Sequence, residues 1–564
     1  MLKEPDIKAR RMRRFRGVLR TVVLYTLLIG GSALFTVPFV WMIGSSFKVD
    51  REMFTEELKI LPRRPIPAKR SPYLDARTFS KPEEEVFARA RPMIEEILAA
   101  RPRPEIPMGV IGEKDADELL LPGVFHRLFR TMPLEDWDLS DGELHRRLDV
   151  QITPDLLADV AEKARRRLLV GPVRVRSIDL QEKELTEGLS FADFWSVAEG
   201  PAELRDARDG RGAVVHYDFS APGKQRVVLT RRMSIPFEVE RLQRLMVAIT
   251  PDDSWHDLRF EMEMNGRLYR TTRDETTGRI QSRIITLQEH GPADAYNSTR
   301  MRLWTPYKQK DSGPEYESRP RTVKLSMIVD ENGALGAWGH KLMRNYRKVF
   351  DYVPFWQYVL VSVVLLTFNI VGAIFSCSLV AYAFARLEWP GRKLCFAVML
   401  ATLMIPPQVT MVPYFLIVKN LGWYNTLTPL WVLNWCANAF NTFLLIQFMR
   451  GIPKDLEDSA VIDGCNFLQV YWYVIMPLVK PTLACIAIFT FMAVWNDFMG
   501  PLIFISDQQL YPLPLGLYAL QVERGTDFGL MMAGSLLMTL PVIVVFFFAQ
   551  KYFIQGIALT GMKG

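Results

Sequence analysis

The chain has 564 residues, 49% of them hydrophobic and 23% charged, with a net charge of +7 and a mean hydropathy of +0.06. That length allows roughly three or four domains, and the averages exclude a disordered, collagen-like or disulfide-dense chain. They do not exclude a membrane protein, because the charge is segregated: residues 353–564 carry only 19 charged side chains, and the other 112 precede them.

Residues 1–20 form a basic flank, with Lys3, Lys8, Arg10, Arg11, Arg13, Arg14, Arg16 and Arg20. Beside an apolar stretch, this fits a cytoplasmic segment under the positive-inside rule better than a nucleic-acid footprint. Nucleic acid is therefore not an expected partner. Residues 21–43 are long and apolar enough to span a bilayer. They exceed a signal-peptide core, and Ser45-Ser46-Phe47-Lys48 offers no small-residue cleavage site, so the helix is expected to be retained.

Residues 49–340 are too many for a connection and are expected to form an extracytoplasmic domain. Its first part, about 81–170, shows helical periodicity, opening at Lys81-Pro82-Glu83 and continuing through Asp115–Phe129 and Asp141–Arg167. Its second part, about 189–335, reads as strands around 214–219, 226–229, 244–249, 258–264, 267–269 and 323–329. Phe260, Met262 and Met264 alternate with Glu261 and Glu263, and Asn265-Gly266 favours a tight hairpin. Strand–turn spacing of this kind suggests a β-sandwich. In outline it is similar to jelly-roll carbohydrate-binding modules. Trp195, Trp255, Trp304 and Tyr307 can stack on sugar rings. Core roles are expected for most of them, and Trp304 and Tyr307, in a polar loop, are the candidate glycan contacts.

No catalytic residues are expected. There is no G-x-S-x-G, no cysteine between Val49 and Tyr352, and no zinc-type spacing among the six histidines, so a metal centre is not expected either. The carboxylates of Glu261 and Glu263 share one strand face and read as solvated rather than as a hydrolytic pair.

Five further spans are expected at about 356–384, 394–418, 427–449, 481–505 and 529–550. The short basic loop Arg386–Lys393, the loop bearing Arg450, Lys454 and Lys480, and the Lys551 and Lys563 tail all belong inside. The expected fold class is an α-helical membrane protein of six transmembrane helices with an inserted α+β extracytoplasmic domain. Both termini are cytoplasmic, and residues 49–352 lie outside. Asp497 is the one acid deep in an expected span, and Trp495, Asn496 and Asp497 are candidates for a translocation path.

Residues 450–478 are the most informative segment. Pro453 starts a short helix with acids in its first turn, and Asp463-Gly464 ends it with a left-handed cap. A second, amphipathic helix follows and is expected to end before Pro477. A short rigid helix at the membrane face suits docking into a groove on a partner. This segment closely resembles the EAA loop of ABC-importer permeases, with Asp458, Ser459, Ala460 and Gly464 at the motif positions and Val474, Met476 and Pro477 at the later ones. Asp for Glu, Ser for Ala and Met for Leu depart from the pattern, and Glu457 is a longer carboxylate beside it. Val37–Met42, Ser46-Phe47-Lys48, Asn345–Phe350, Ala381–Leu387, Pro390-Gly391-Arg392, Trp495–Phe498 and Tyr552–Ile557 are similar to the sugar-importer branch, in its second permease subunit.

The resemblance implies a permease core over 345–564 and a coupling loop over 450–478, where Glu457, Asp458, Ser459, Ala460, Asp463, Gly464 and Pro477 meet an ATPase. It also implies a bacterial inner-membrane location, a second permease subunit, two ATP-binding subunits and an external solute-binding protein. No G-x-x-x-x-G-K-[ST] occurs, so no cofactor is expected in this chain, and ATP and Mg would be held by the partner ATPase. The competing expectation is a membrane-anchored glycan-binding or sensing protein whose business is the outer domain.

Overall fold

A computed structural model describes residues 7–53, 59–75, 85–102, 113–175, 178–180, 188–207, 210–223, 225–278, 282–289, 305–524 and 527–561. These form two compact units. One comprises the described residues up to Arg63 and from Leu342 onward; the other comprises those of 64–292 and 303–341.

The second unit has two cores. Helices Glu85–Ala99, Glu113–Thr131, Asp141–Gln151 and Pro154–Ala164 enclose Ile94, Val124, Leu128, Leu144 and Leu148. Trp137 meets Phe125 edge-on at 5.3 Å. The single helix expected over Asp141–Arg167 is two. Pro154 lacks the N–H that a continuous helix would use, and Thr153 instead caps a new helix by accepting from the Leu156 N–H at 3.2 Å. The chain then turns extended at Arg165, and Leu168–Val175 is a strand that the periodicity assigned to no element.

Nine principal strands pair side by side in one sheet. The order is Ala213–Asp218, Leu168–Val175, Arg244–Thr250, Arg283–Glu289, Thr305–Ser312, Arg267–Thr271, Asp257–Met264, Thr322–Asp330 and Arg226–Ser234. Every neighbouring pair is antiparallel except Arg283–Glu289 with Thr305–Ser312. Asn265 and Gly266 both take positive φ, 52° and 66°, which closes a two-residue hairpin of the favoured twist. Along Asp257–Met264 burial alternates strictly, with Leu258, Phe260, Met262 and Met264 inward. Their inward neighbours from both ends of the path, including Val170, Tyr217, Leu229 and Val323, share one core, so the sheet curls around it. On the outer face Glu261 pairs with Arg270 and Glu263 with Lys324, each at 2.6 Å. That pairing identifies a solvated ion-pair ladder rather than a catalytic carboxylate pair.

A buried polar nest lies in the same unit. Asp252 accepts from the Tyr217 hydroxyl at 2.8 Å and from Ser254. The His256 ring accepts the Asn332 N–H at Nδ1 (3.1 Å), so Nε2 carries the hydrogen and donates to the Ala68 carbonyl at 2.7 Å. Burial pushes the His256 pKa below its ordinary value, which keeps the ring neutral. One imidazole thus joins the incoming chain at Ala68 to the outgoing chain at Asn332.

In the first unit, three described helices are long and apolar enough to cross a membrane: Leu19–Ser46, Phe355–Ala385 and Phe528–Gln550. Two bent pairs bring the number to five, Arg392–Thr402 with Pro407–Asn420 at 100° and Phe467–Leu478 with Lys480–Trp495 at 76°. The expected 394–418 span is therefore broken, at Pro406-Pro407, where ring geometry forbids a continuous helix. The expected 427–449 span is not one helix. It consists of short 3-10 turns at Thr428–Leu430 and Val432–Cys436, then Ala439–Arg450 after Ala437 takes φ +57°. The Asn345 side chain donates to the carbonyls of Ser46 and Lys48, each at 2.8 Å, and Tyr346 shares a hydrogen bond with Ser46 at 2.7 Å.

Candidate functional site

The 450–478 segment starts from Arg450, at the end of helix Ala439–Arg450. Helix Asp455–Ile462 begins two residues after Pro453, with Asp455, Glu457 and Asp458 in its first turn. Acids there complement the partial positive charge of the free N–H groups. Gly464 takes φ +90°, and the Cys465 N–H returns to the Ala460 carbonyl at 2.9 Å, closing a left-handed C-terminal cap. Asn466 and Gln469 form a reciprocal capping box that starts the next helical run, with bonds of 2.9 and 2.8 Å. That run widens to a π-helix at Val470–Ile475 and continues to Leu478. It does not stop before Pro477. The wider turns of Val470–Ile475 alter the hydrogen-bond register ahead of the proline, and Pro477 takes an early position in the short helix Met476–Leu478.

Asp458, Ser459, Asp463 and Pro477 are exposed, whereas Ala460 packs against the unit's core. Ile462 (85% exposed) and Tyr473 (77%) lead an apolar ridge that also includes Leu456, Val461, Phe467 and Trp472. Glu457, expected among the ATPase-coupling residues, is largely buried. It turns inward, and its Oε1 lies 2.8 Å from Nε of Arg386 as an ion pair, without the alignment of a hydrogen bond. Burial raises the Glu457 pKa, and Arg386 opposes that shift. The carboxylate offered outward at the motif is that of Asp458. In the sequence Arg386 reads only as the first basic residue of an inside loop, and its partner Glu457 is not signalled there.

A second feature is a cleft of about 700 Å³. Its walls come from helix Pro407–Asn420, the broken 428–436 stretch and residues 497–504, with Gln408, Tyr414, Asn434 and Asp497 as polar lining. The broken stretch leaves backbone groups without helical partners, and nearby side chains satisfy them. Asn369 donates to the Leu430 carbonyl at 3.2 Å, Tyr414 to Pro429 at 2.7 Å, and Ser376 to the Asn434 carbonyl at 3.0 Å. Asn434 in turn donates to Asn369 Oδ1 at 2.5 Å. Of the three path candidates, only Asp497 reaches the cleft, its Oδ1 accepting from the Gly500 N–H at 3.0 Å. Trp495 is a core residue, stacked on Phe491 and donating to the Met538 carbonyl at 3.1 Å. Asn496 bonds back to Met492 at 2.8 Å.

The glycan candidates fare differently. Tyr307 is 1% exposed and meets Tyr269 edge-on at 5.6 Å inside the sheet's core, so it cannot stack on a ligand. Trp304 lies outside the described residues. Among the described residues of the second unit, no aromatic side chain is exposed as a stacking platform. No group of three or more metal-ligating side chains occurs among the described residues.

Residues 369–559 match the model of the family described as binding-protein-dependent transport system inner membrane component. The arabinooligosaccharide permease AraQ of Bacillus subtilis is 34% identical over 203 residues, which cover 36% of this chain and 72% of AraQ. The chain belongs to this family of inner-membrane ABC-importer permeases. The diacetylchitobiose permease NgcG of Streptomyces coelicolor is 32% identical, over 38% of this permease and 71% of NgcG. The melibiose/raffinose/stachyose permease MelC of Bacillus subtilis is 34% identical, over 33% and 68%. Among solved structures, a chain of a bacterial ABC transporter that imports the acidic polysaccharide alginate is similar at 25% identity. It covers 37% of this permease and 79% of that chain, with a TM-score of 0.34. The family match begins after Lys341, the last residue of the second unit.

Proposed function

We propose that this permease forms half of the translocation path of an ATP-driven importer of sugars or oligosaccharides. The observation that carries the reading is the exposed 455–478 ridge, internally capped at Gly464 and Asn466 and bearing the motif residues Asp458, Ser459 and Ala460. A rigid apolar ridge rimmed with acids suits a groove on a separate ATPase. In this reading two such ATPases hold ATP and Mg, a second permease subunit completes the path, and an external binding protein delivers the solute. Both termini and the 450–478 loop lie in the cytoplasm, and the outer unit lies across the membrane. The cleft at Asp497, Asn434 and Gln408 faces the path, with carboxylate and amide groups suited to sugar hydroxyls. The relatives named above carry arabinooligosaccharides, diacetylchitobiose and melibiose-type sugars, and that supports the cargo class.

Purification of this chain from its native membranes through a tag, followed by reconstitution, tests the reading. Recovery of an ATPase and ATP-dependent uptake of a labelled oligosaccharide into proteoliposomes are expected. A purified chain without an ATPase, or uptake indifferent to ATP, would overturn it.

A further inference from the structure

Arg386 follows the last residue of helix Phe355–Ala385, and its side chain is 4% exposed. Three separate pieces of chain meet it. Its Nη2 donates to the carbonyls of Met449 (2.5 Å), in the last turn of helix Ala439–Arg450, and of Ile452 (2.8 Å), just beyond that helix. Its Nε pairs with Glu457, in the first turn of the Asp455–Ile462 helix. A lysine cannot make this set of contacts, because a single ammonium has no planar fork of donors.

One turn back along the same helix face, the Tyr382 hydroxyl donates to the Phe467 carbonyl at 3.1 Å. One further turn back, Ser378 shares a 2.6 Å hydrogen bond with Tyr471. The cytoplasmic segment is thus tied to Phe355–Ala385 at three successive turns. The same helix carries Ser376, two residues before Ser378, and Asn369 two turns further back, which hold the unwound cleft wall through Asn434 and Leu430. The docking ridge and the cleft therefore meet through one helix.

We propose that Arg386 is a positioning residue for transport: with Glu457 it clamps the Asp455–Ile462 helix to Phe355–Ala385, so that displacement of the docking ridge moves the cleft wall. This rests on reading the ridge as the ATPase contact. It assigns Glu457 to transmission within the chain and leaves Asp458 as the outward acid. Truncating one partner of a buried ion pair leaves the other charge uncompensated, so the clamp is sensitive to either residue.

The test uses the full importer complex in proteoliposomes with loaded binding protein, comparing Glu457→Gln, Glu457→Asp and Arg386→Lys with wild type. In Glu457→Gln the ATPase should co-purify in wild-type ratio. Uptake per complex should fall about tenfold, with an unchanged KM for the binding protein and more ATP spent per solute, as expected where coupling and not binding is lost. Glu457→Asp, which keeps the charge, should recover most of the uptake. Arg386→Lys should resemble Glu457→Gln. Unchanged uptake in Glu457→Gln would overturn the clamp, and so would loss of the ATPase from that complex, which would make Glu457 a docking contact. A wild-type complex without ATP-dependent uptake would refute the functional reading rather than the clamp.

Discussion

Replacing Gly464 by alanine isolates the geometry of the coupling segment. Gly464 has φ +90°, and a Cβ built there meets nothing within 4 Å. No clash arises, so the whole effect is backbone strain, about 1–2 kcal/mol for a non-glycine residue in the left-handed region. On the proposed coupling role, releasing that strain by letting the Asp455–Ile462 helix leave its capped geometry lowers the population of the loop conformation that docks. At about 1.4 kcal/mol per tenfold, affinity for the ATPase weakens by about 5–30-fold. Global stability changes less, because the alanine also removes about 0.4–1 kcal/mol of unfolded-chain freedom. Titrating the detergent-solubilised permease with its ATPase measures the affinity, and a thermal melt of the same sample measures stability. Gly464→Asn is the control, since asparagine tolerates positive φ. Wild-type affinity for Gly464→Ala, or weaker binding for Gly464→Asn than for Gly464→Ala, would refute the reasoning.

Asn369→Leu should destabilise the permease by about 1–3 kcal/mol, because it removes the partner of the half-buried Leu430 carbonyl and Asn434 amide at the cleft wall. A double-mutant cycle with Asn434→Leu should show coupling, and independent effects would sever the two residues. Stability should also fall with acid. His256 stays neutral in the folded protein because its pKa lies below the usual 6.5, so below that pH the unfolded chain binds the extra proton. The loss therefore begins as pH drops through about 6.5 and is complete at the lower folded value. Melts of wild type and His256→Gln at pH 7.5 and 5.5 should differ in this slope, and parallel behaviour would exclude His256 as the cause. Tyr307→Ala should cost about 3–5 kcal/mol by emptying a filled core position, and binding of any soluble glycan should be unaffected once the chain is folded. Trp495→Phe keeps the stack on Phe491 and loses one hydrogen bond, so a loss of about 1 kcal/mol in the same melt is expected.

Patterns carried by local chemistry were legible in the sequence. The Asn265-Gly266 hairpin, the alternation over Phe260–Met264 and the Gly464 cap each depend on a few adjacent residues, and each has its expected form. What depends on distant partners was not legible. Hydropathy sees the apolar content of 427–449 but not that Asn369 and Ser376 satisfy an unwound backbone there. Tyr307 sits in polar company along the chain, yet its neighbours in space are Tyr269 and Leu242, so local polarity misled. The orientation of Glu457 was invisible for the same reason: Arg386 lies 71 positions earlier, and only the packed helices bring the two together.

The paired contacts of His256 and Asn345 have a consequence for how such a chain tolerates a large excursion. Asn345 holds chain 297 positions away at Lys48, a separation that normally makes ring closure entropically costly. Once the second unit has formed, His256 already holds Ala68 beside Asn332, and the chain between these ties and Lys48 and Asn345 shrinks to roughly thirty residues. By the logarithmic cost of closure, that shortening is worth about 2 kcal/mol. The insertion thus enters and leaves through residues that its own fold already holds together. Its gain or loss burdens the folding of the permease little more than a short loop would, and a linker of that length in place of residues 68–332 should leave the membrane unit able to assemble.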